Sequence, residues 1–140
     1  MRILIDIGHP AHIHLFKNFA WRMQERGHKI LFTCKDRECV LQLMRVYKFV
    51  YDNFGKHYSS VQGKIFGLLK NELQMLNTAI QFKPDLFLSH GSTIAAFTSF
   101  IMHKPHIAFE DTFNMEQVKL SMLFTDVVLT GDYPHPSLGK

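Results

Sequence analysis

Three short polar motifs each follow directly on an apolar, strand-like run. Ile3–Ile7 leads into Gly8-His9-Pro10-Ala11-His12-Ile13-His14, Asp85–Ser89 into His90-Gly91-Ser92, and Ile107–Phe109 into Glu110-Asp111-Thr112. An imidazole exchanges protons near neutral pH, and a carboxylate can take the proton of a hydroxyl. His90, Glu110 and Asp111 are therefore the candidates for acid–base work. In an open parallel sheet, ligands bind in the crevice outside the carboxyl ends of the strands. Motifs at three such ends predict a single site built from segments far apart in the chain.

The first motif is not a dinucleotide fingerprint. That would need G-x-G-x-x-G between strand and helix, and here Gly8 stands alone. What it offers is a helix N-terminus with backbone N–H groups, ringed by His9, His12 and His14 and suited to an anionic or hydroxyl-rich ligand. In the second motif a capped turn, with Ser92 or Thr93 as the cap, accounts for Gly91 and Ser92 but leaves His90 unexplained. In the third, consecutive residues point to opposite sides. One carboxylate then faces the crevice while the other caps the following turn, with Glu110 or Asp111 as general base and Thr112 beside them.

Imidazole plus carboxylate is a workable metal-ligand set, and His9, His12, His90, Glu110 and Asp111 share one rim. No pair has helical metal spacing such as H-E-x-x-H, so no metal is expected. Lys56-His57 can reach the same rim, although loop lysines are usually solvated.

The elements that must position these motifs alternate regularly. Apolar runs predict strands at Ile3–Ile7, Lys29–Thr33, Phe49–Phe54, Leu86–Leu88, Ile107–Phe109 and Val127–Thr130. Helical spacing predicts a helix over Ile13–Arg26, stopped by Gly27, and one from an Asp36 cap to Tyr47. Further helices are expected over Lys64–Phe82, blocked by Pro84, over Thr93–His103 and over Met115–Phe124. In the longest helix Ile65, Leu69, Leu73, Leu76 and Ile80 lie along one face. The loop from Gly55 to Gly63 is polar, with Ser59 and Ser60. Strands alternating with helices imply an α/β, Rossmann-like open parallel sheet of about six strands, helices on both faces, in the order 3-2-1-4-5-6.

The chain of 140 residues carries a formal charge of +4, with its basic residues scattered. Nucleic-acid binders cluster theirs, so no nucleic-acid partner is expected. Cys34 and Cys39 fit neither CxxC nor a zinc-knuckle spacing and read as buried free thiols of a reducing compartment. The N-terminus starts straight into strand residues without a signal-peptide pattern, and the chain is placed in the cytoplasm. Core packing accounts for most of the longest helix, whose Phe66, Leu68 and Leu69 lie beside Lys64 and Lys70, leaving weak contact with a membrane surface as a minor use. Residues 1–130 form one domain. The Pro- and Gly-bearing segment 131–140 reads as a linker or tail leading toward a second domain.

Ile3-Leu4-Ile5-Asp6-Ile7-Gly8-His9-Pro10-Ala11-His12, Phe16-Lys17-Asn18, Arg26-Gly27-His28, Lys83-Pro84-Asp85, His90-Gly91-Ser92 and Asp111-Thr112 together resemble a prokaryotic family of unknown function. That family is similar to UDP-N-acetylglucosamine 2-epimerases and to GT-B glycosyltransferases. The resemblance implies the N-terminal half of a two-domain enzyme. Its acceptor, a sugar or glycolipid, would bind mostly here. A nucleotide-sugar donor would bind mostly to a C-terminal GT-B-like domain in the same or another chain. No cofactor is implied beyond that donor. The epimerases are similar at His90-Gly91 and place a catalytic glutamate where Glu110 stands, but carry a catalytic aspartate where this chain has Ser92. Sugar transfer is therefore the leading expectation, with the chain alone inactive. An epimerase-like half and a non-catalytic ligand- or partner-binding module are the alternatives.

Overall fold

The central strand dictates the architecture. In the computed structural model, β1 (Arg2–Ile7) is paired on one side with β2 (Lys29–Asp36) and on the other with β4 (Leu86–His90), both parallel. The structure describes residues 1–56, 61–111 and 115–131, with the side chains of 61–65, 68 and 115–117 excepted. Ile3, Leu4, Ile5 and Ile7 are all buried, as expected where helices cover both faces of a sheet. The six strands run β3-β2-β1-β4-β5-β6, with β3 at Tyr51–Lys56, β5 at His106–Glu110 and β6 at Val127–Thr130. This is the expected Rossmann-like α/β sheet.

Alternation along β1 divides the core in two. Ile3, Ile5 and Ile7 pack with Ile13, Phe16 and Ala20 of α1 (Pro10–Glu25) and with Val40 and Met44 of α2 (Val40–Val46). Leu4 packs on the opposite face with Met75 and Ala79 of α3 (Val61–Phe82) and with Ala95 of α4 (Thr93–Ile101). A fifth helix, α5, spans Met115–Met122.

Several boundaries differ from expectation. Helix α1 starts at Pro10 rather than Ile13, because proline at the first helical position sacrifices no intrahelical hydrogen bond and the His9 ring caps the end. Asp36 does not cap α2; it is the last residue of β2, paired with Lys56 of β3 across a register shift. Of the two thiols expected to be buried, Cys34 is, but Cys39 is exposed, because it holds the N-cap position of α2, without a side-chain hydrogen bond. The aliphatic stripe of α3 is turned the other way: Leu69, Leu73 and Ile80 are exposed, and Asn71, Met75, Thr78 and Ala79 face the core. Among the described residues, no helix is long and apolar enough to cross a membrane. His57, Ser59, Ser60 and the tail from 132 onward lie outside the described residues.

One buried polar chain ties β4, β5 and α5 together. Ser92 N–H donates to Ser89 Oγ at 3.3 Å, and Ser89 Oγ lies 2.9 Å from His106 Nε2. His106 Nδ1 lies 2.9 Å from Thr125 Oγ1, whose own hydroxyl donates to the Ser121 carbonyl at 2.8 Å. Since the Thr125 proton is committed to Ser121, its oxygen accepts from Nδ1–H, and Nε2 accepts from Ser89. A neutral ring with its proton on Nδ1 fits both contacts. Burial accordingly lowers the His106 pKa to about 4 against an upward pull from Asp126.

A folded pKa below the unfolded value means that the unfolded chain binds the extra proton first. Stability from His106 is therefore present above pH 6.5 and is lost as pH falls toward 4. The loss from this residue should reach about 3 kcal/mol. Urea midpoints measured across that window should fall steeply for the wild type and less steeply for His106→Asn. Equal slopes in the two proteins would contradict this account.

Candidate functional site

A cavity of about 460 Å³ opens at the carboxyl ends of β1, β2, β4 and β5. Of the residues singled out from sequence, Gly8, His9, His12, His90, Gly91, Ser92, Thr93 and Glu110 line it. His14 does not. It lies on the α2 side of α1, its ring edge-on to Tyr47 at 5.9 Å between centroids and Nδ1 3.4 Å from the tyrosine hydroxyl. Thr112 falls outside the described residues.

The α1 terminus fixes two of the imidazoles. His9 is the N-cap, its Nδ1 accepting the Ala11 N–H at 3.2 Å, an uncommon residue in a role usually filled by Ser, Thr, Asp or Asn. Its Nε2 lies 3.7 Å from Glu38 Oε2, and Glu38 also pairs with Arg37 at 3.2 Å. His12, one turn into the helix, accepts the Gly8 N–H on Nδ1 at 3.3 Å. Burial lowers the His12 pKa to about 4, with the neighbouring His90 and His9 pushing the same way and Asp111 opposing. His12 is thus neutral at physiological pH and can stack on His90, with centroids 4.3 Å apart and rings 22° from parallel.

His90 is held from its far edge. Its Nε2 lies 2.9 Å from Asp111 Oδ1, the imidazole being largely covered and the carboxylate largely exposed. Gly91 has φ of +60°, a left-handed conformation that glycine adopts without penalty. A Cβ there would sit 3.0 Å from Glu110 Oε2, so glycine also lets that carboxylate approach the backbone. Glu110 is only 8% exposed although it lines the cavity, so it is a recessed group. Ser92 caps α4, accepting the Ala95 N–H at 3.2 Å. The carboxylate pair thus divides as alternation suggests, Glu110 inward and Asp111 to the rim. There Asp111 meets His90, and the turn it was expected to cap lies outside the described residues.

The sequence reading missed part of the lining. Asp6, Lys35, Arg37 and the apolar Phe54, Met75 and Ile94 also face the cavity. Asp6 sits inside an apolar strand. Desolvation raises its pKa, opposed by hydrogen bonds from Ser92 and Thr33 and by the Lys35 charge. A carboxylate among β1 isoleucines was the available signal. Cys34 lines the same cavity, but burial and then the nearby Asp6, Asp52 and Asp36 carboxylates push its thiol up to about 12, which makes it a poor nucleophile. Among the described residues, no group of three or more His, Cys, Asp and Glu side chains is placed to hold a metal ion.

The fold recurs in solved structures. MurG of Acinetobacter baumannii superimposes with a TM-score of 0.77 at 13% identity over 96% of this chain and 43% of that one. The UDP-GlcNAc 2-epimerase of Neisseria meningitidis, solved with UDP-GlcNAc bound, gives 0.71 at 18% identity over 93% and 40%. The Streptomyces glycosyltransferase SsfS6 gives 0.69 at 15% identity over 100% and 52%. An uncharacterised protein of Methanocaldococcus jannaschii is 23% identical over 128 residues, 91% of this chain and 38% of its own length. The chain therefore spans about four-tenths of the first relatives that it matches. At these identities the structural likeness fixes the fold, an α/β domain of the kind found in the N-terminal half of GT-B glycosyltransferases and UDP-GlcNAc 2-epimerases. The model of the family described as protein of unknown function, DUF354, matches residues 1–132, and the chain belongs to that family.

Proposed function

We propose that the cavity is the acceptor side of a GT-B-like, nucleotide-sugar-dependent glycosyltransferase, with the donor held by a second domain. The observation that carries this reading is the 2.9 Å contact between His90 and Asp111 at the rim, with His90 and the recessed Glu110 lining one cavity. Asp111 accepts the Nε2–H of His90 and so fixes the tautomer, leaving Nδ1 as the basic nitrogen. An acceptor hydroxyl gives up its proton to this base as its oxygen attacks the sugar carbon, and the nucleotide departs with the bonding pair. Glu110 supplies a second carboxylate from the cavity wall to orient the hydroxyl. Neutral His12 supports the face of His90 without competing charge.

An epimerase-like reading is weaker. Ser92, which stands where the similar epimerases carry an aspartate, is committed to capping α4. A binding module without turnover needs the same cavity but neither the His90–Asp111 pair nor a buried Glu110.

In the protein that joins this domain to a donor-binding domain, His90→Ala should lower kcat about 100-fold or more, the usual contribution of a general base. Asp111→Asn should lower it less and shift its pH profile. Wild-type turnover in both variants would remove the acid–base assignment. The 140-residue chain alone supplies one wall of a two-domain cleft, and a closed cleft is what excludes water and completes such a site. It should transfer no sugar from UDP-GlcNAc to saccharide acceptors. Transfer by the purified chain would refute the division of labour.

A further inference from the structure

One polar group in the cavity is not used by the chemistry above. Asp6 stands between Ile5 and Ile7, and alternation places its side chain on the Leu4 face, toward α3 and α4. It is partly exposed, and it lines the cavity with Phe54, Met75 and Ile94. Thr33 Oγ1 donates to Asp6 Oδ1 at 2.7 Å, and the Ser92 side chain is a second hydrogen-bond partner. The Ile7 backbone N–H is a third donor to it, and since a carboxyl group offers about four acceptor sites, capacity remains for a group in the cavity that Asp6 lines.

An uncharged isostere can keep these bonds, its carbonyl oxygen accepting the fixed Ile7 N–H while the two hydroxyls, each able to reverse from donor to acceptor, meet its oxygen or its amide. A desolvated carboxyl is costly where it stands, and the rise in its pKa records that cost. Groups that lower stability inside a cavity are characteristic of binding and catalytic positions. The surroundings narrow the ligand. Lys35 and Arg37 line the same cavity and disfavour an ammonium group, whereas the wall of Phe54, Met75 and Ile94 suits an apolar ring face. Neutral hydroxyls on a ring with apolar C–H faces satisfy both conditions.

We infer that Asp6 is a ligand-contacting residue that hydrogen-bonds one hydroxyl of a pyranose, whose apolar face lies toward Phe54, Met75 and Ile94. This contact selects which ring position is presented to His90 and Glu110. The assignment rests on the acceptor-site reading above and deepens it by naming the side chain that holds the sugar ring at a second point.

The test is a titration of the chain with methyl pyranosides of the gluco, galacto, manno and N-acetylglucosamine series and their monodeoxy analogues. Binding is followed by NMR at the Ile94 methyl group and at the His12 and His90 rings. The wild type should bind at least one pyranoside and lose affinity when one particular hydroxyl is removed. Asp6→Asn should weaken binding about tenfold and lose less affinity than the wild type when that hydroxyl is removed. Its urea midpoint should equal or exceed the wild type's, with the advantage growing as pH rises above the ordinary carboxyl value of 3.8. If Asp6→Asn binds like the wild type, or is less stable or unfolded, the carboxyl is structural and the inference fails while the acceptor site stands. If no pyranoside moves His12 or His90 in the wild type, the acceptor reading fails and takes this inference with it.

Discussion

The whole arrangement depends on the burial of β1. A central parallel strand with neighbours on both sides and helices on both faces keeps its middle, Ile3 to Ile5, away from solvent. Toward its carboxyl end the partly exposed Asp6, and then Gly8 and His9 beyond the strand, are where chemistry can begin. Strands β4 and β5, in register with β1 and with each other, end at the same edge. Their terminal residues His90 and Glu110 thus arrive beside the α1 terminus without any long loop to place them. The cavity is a product of register before it is a product of particular side chains.

Within that frame the histidines take different tasks because their surroundings differ. His9 closes a helix end through Nδ1. His12 is kept neutral by burial and serves as a stacking surface. His106 is locked into one tautomer by hydroxyls on either side. His90 lines the cavity with its Nε2 2.9 Å from the Asp111 carboxylate at the rim, a closer contact than the 3.7 Å between His9 and Glu38. A high histidine content therefore does not by itself announce a metal centre or a proton relay. Which nitrogen is already engaged decides what each ring can do.

Much of the frame was legible. The strand–helix alternation and the order 3-2-1-4-5-6 follow from apolar runs and turn residues such as Gly27 and Pro84, which act locally. The three polar motifs were legible for the same reason, since each lies just past an apolar run. What escaped depends on neighbours distant in sequence. Strand β2 runs on to Asp36 because β3 is there to pair with it, which no pattern within Lys35-Asp36 reveals. The α3 stripe has helical spacing whichever way it faces, and only the sheet decides that Met75 and Ala79 go inward while Leu69 and Leu73 do not. Asp6, Lys35 and Arg37 read as strand and turn residues until the folded chain places them around one space. His14 shares its motif with His9 and His12, yet the helical turn carries it to Tyr47.

Ser92 is where these layers meet. Its N–H reaches the buried Ser89–His106 chain, its oxygen closes α4, and its side chain reaches Asp6. An aspartate at this position would still cap the helix, but it would set a second carboxylate against a carboxyl already short of solvent. Exchanging Ser92 for aspartate would therefore work against Asp6, so the two positions are coupled and a change at one alters what the other tolerates.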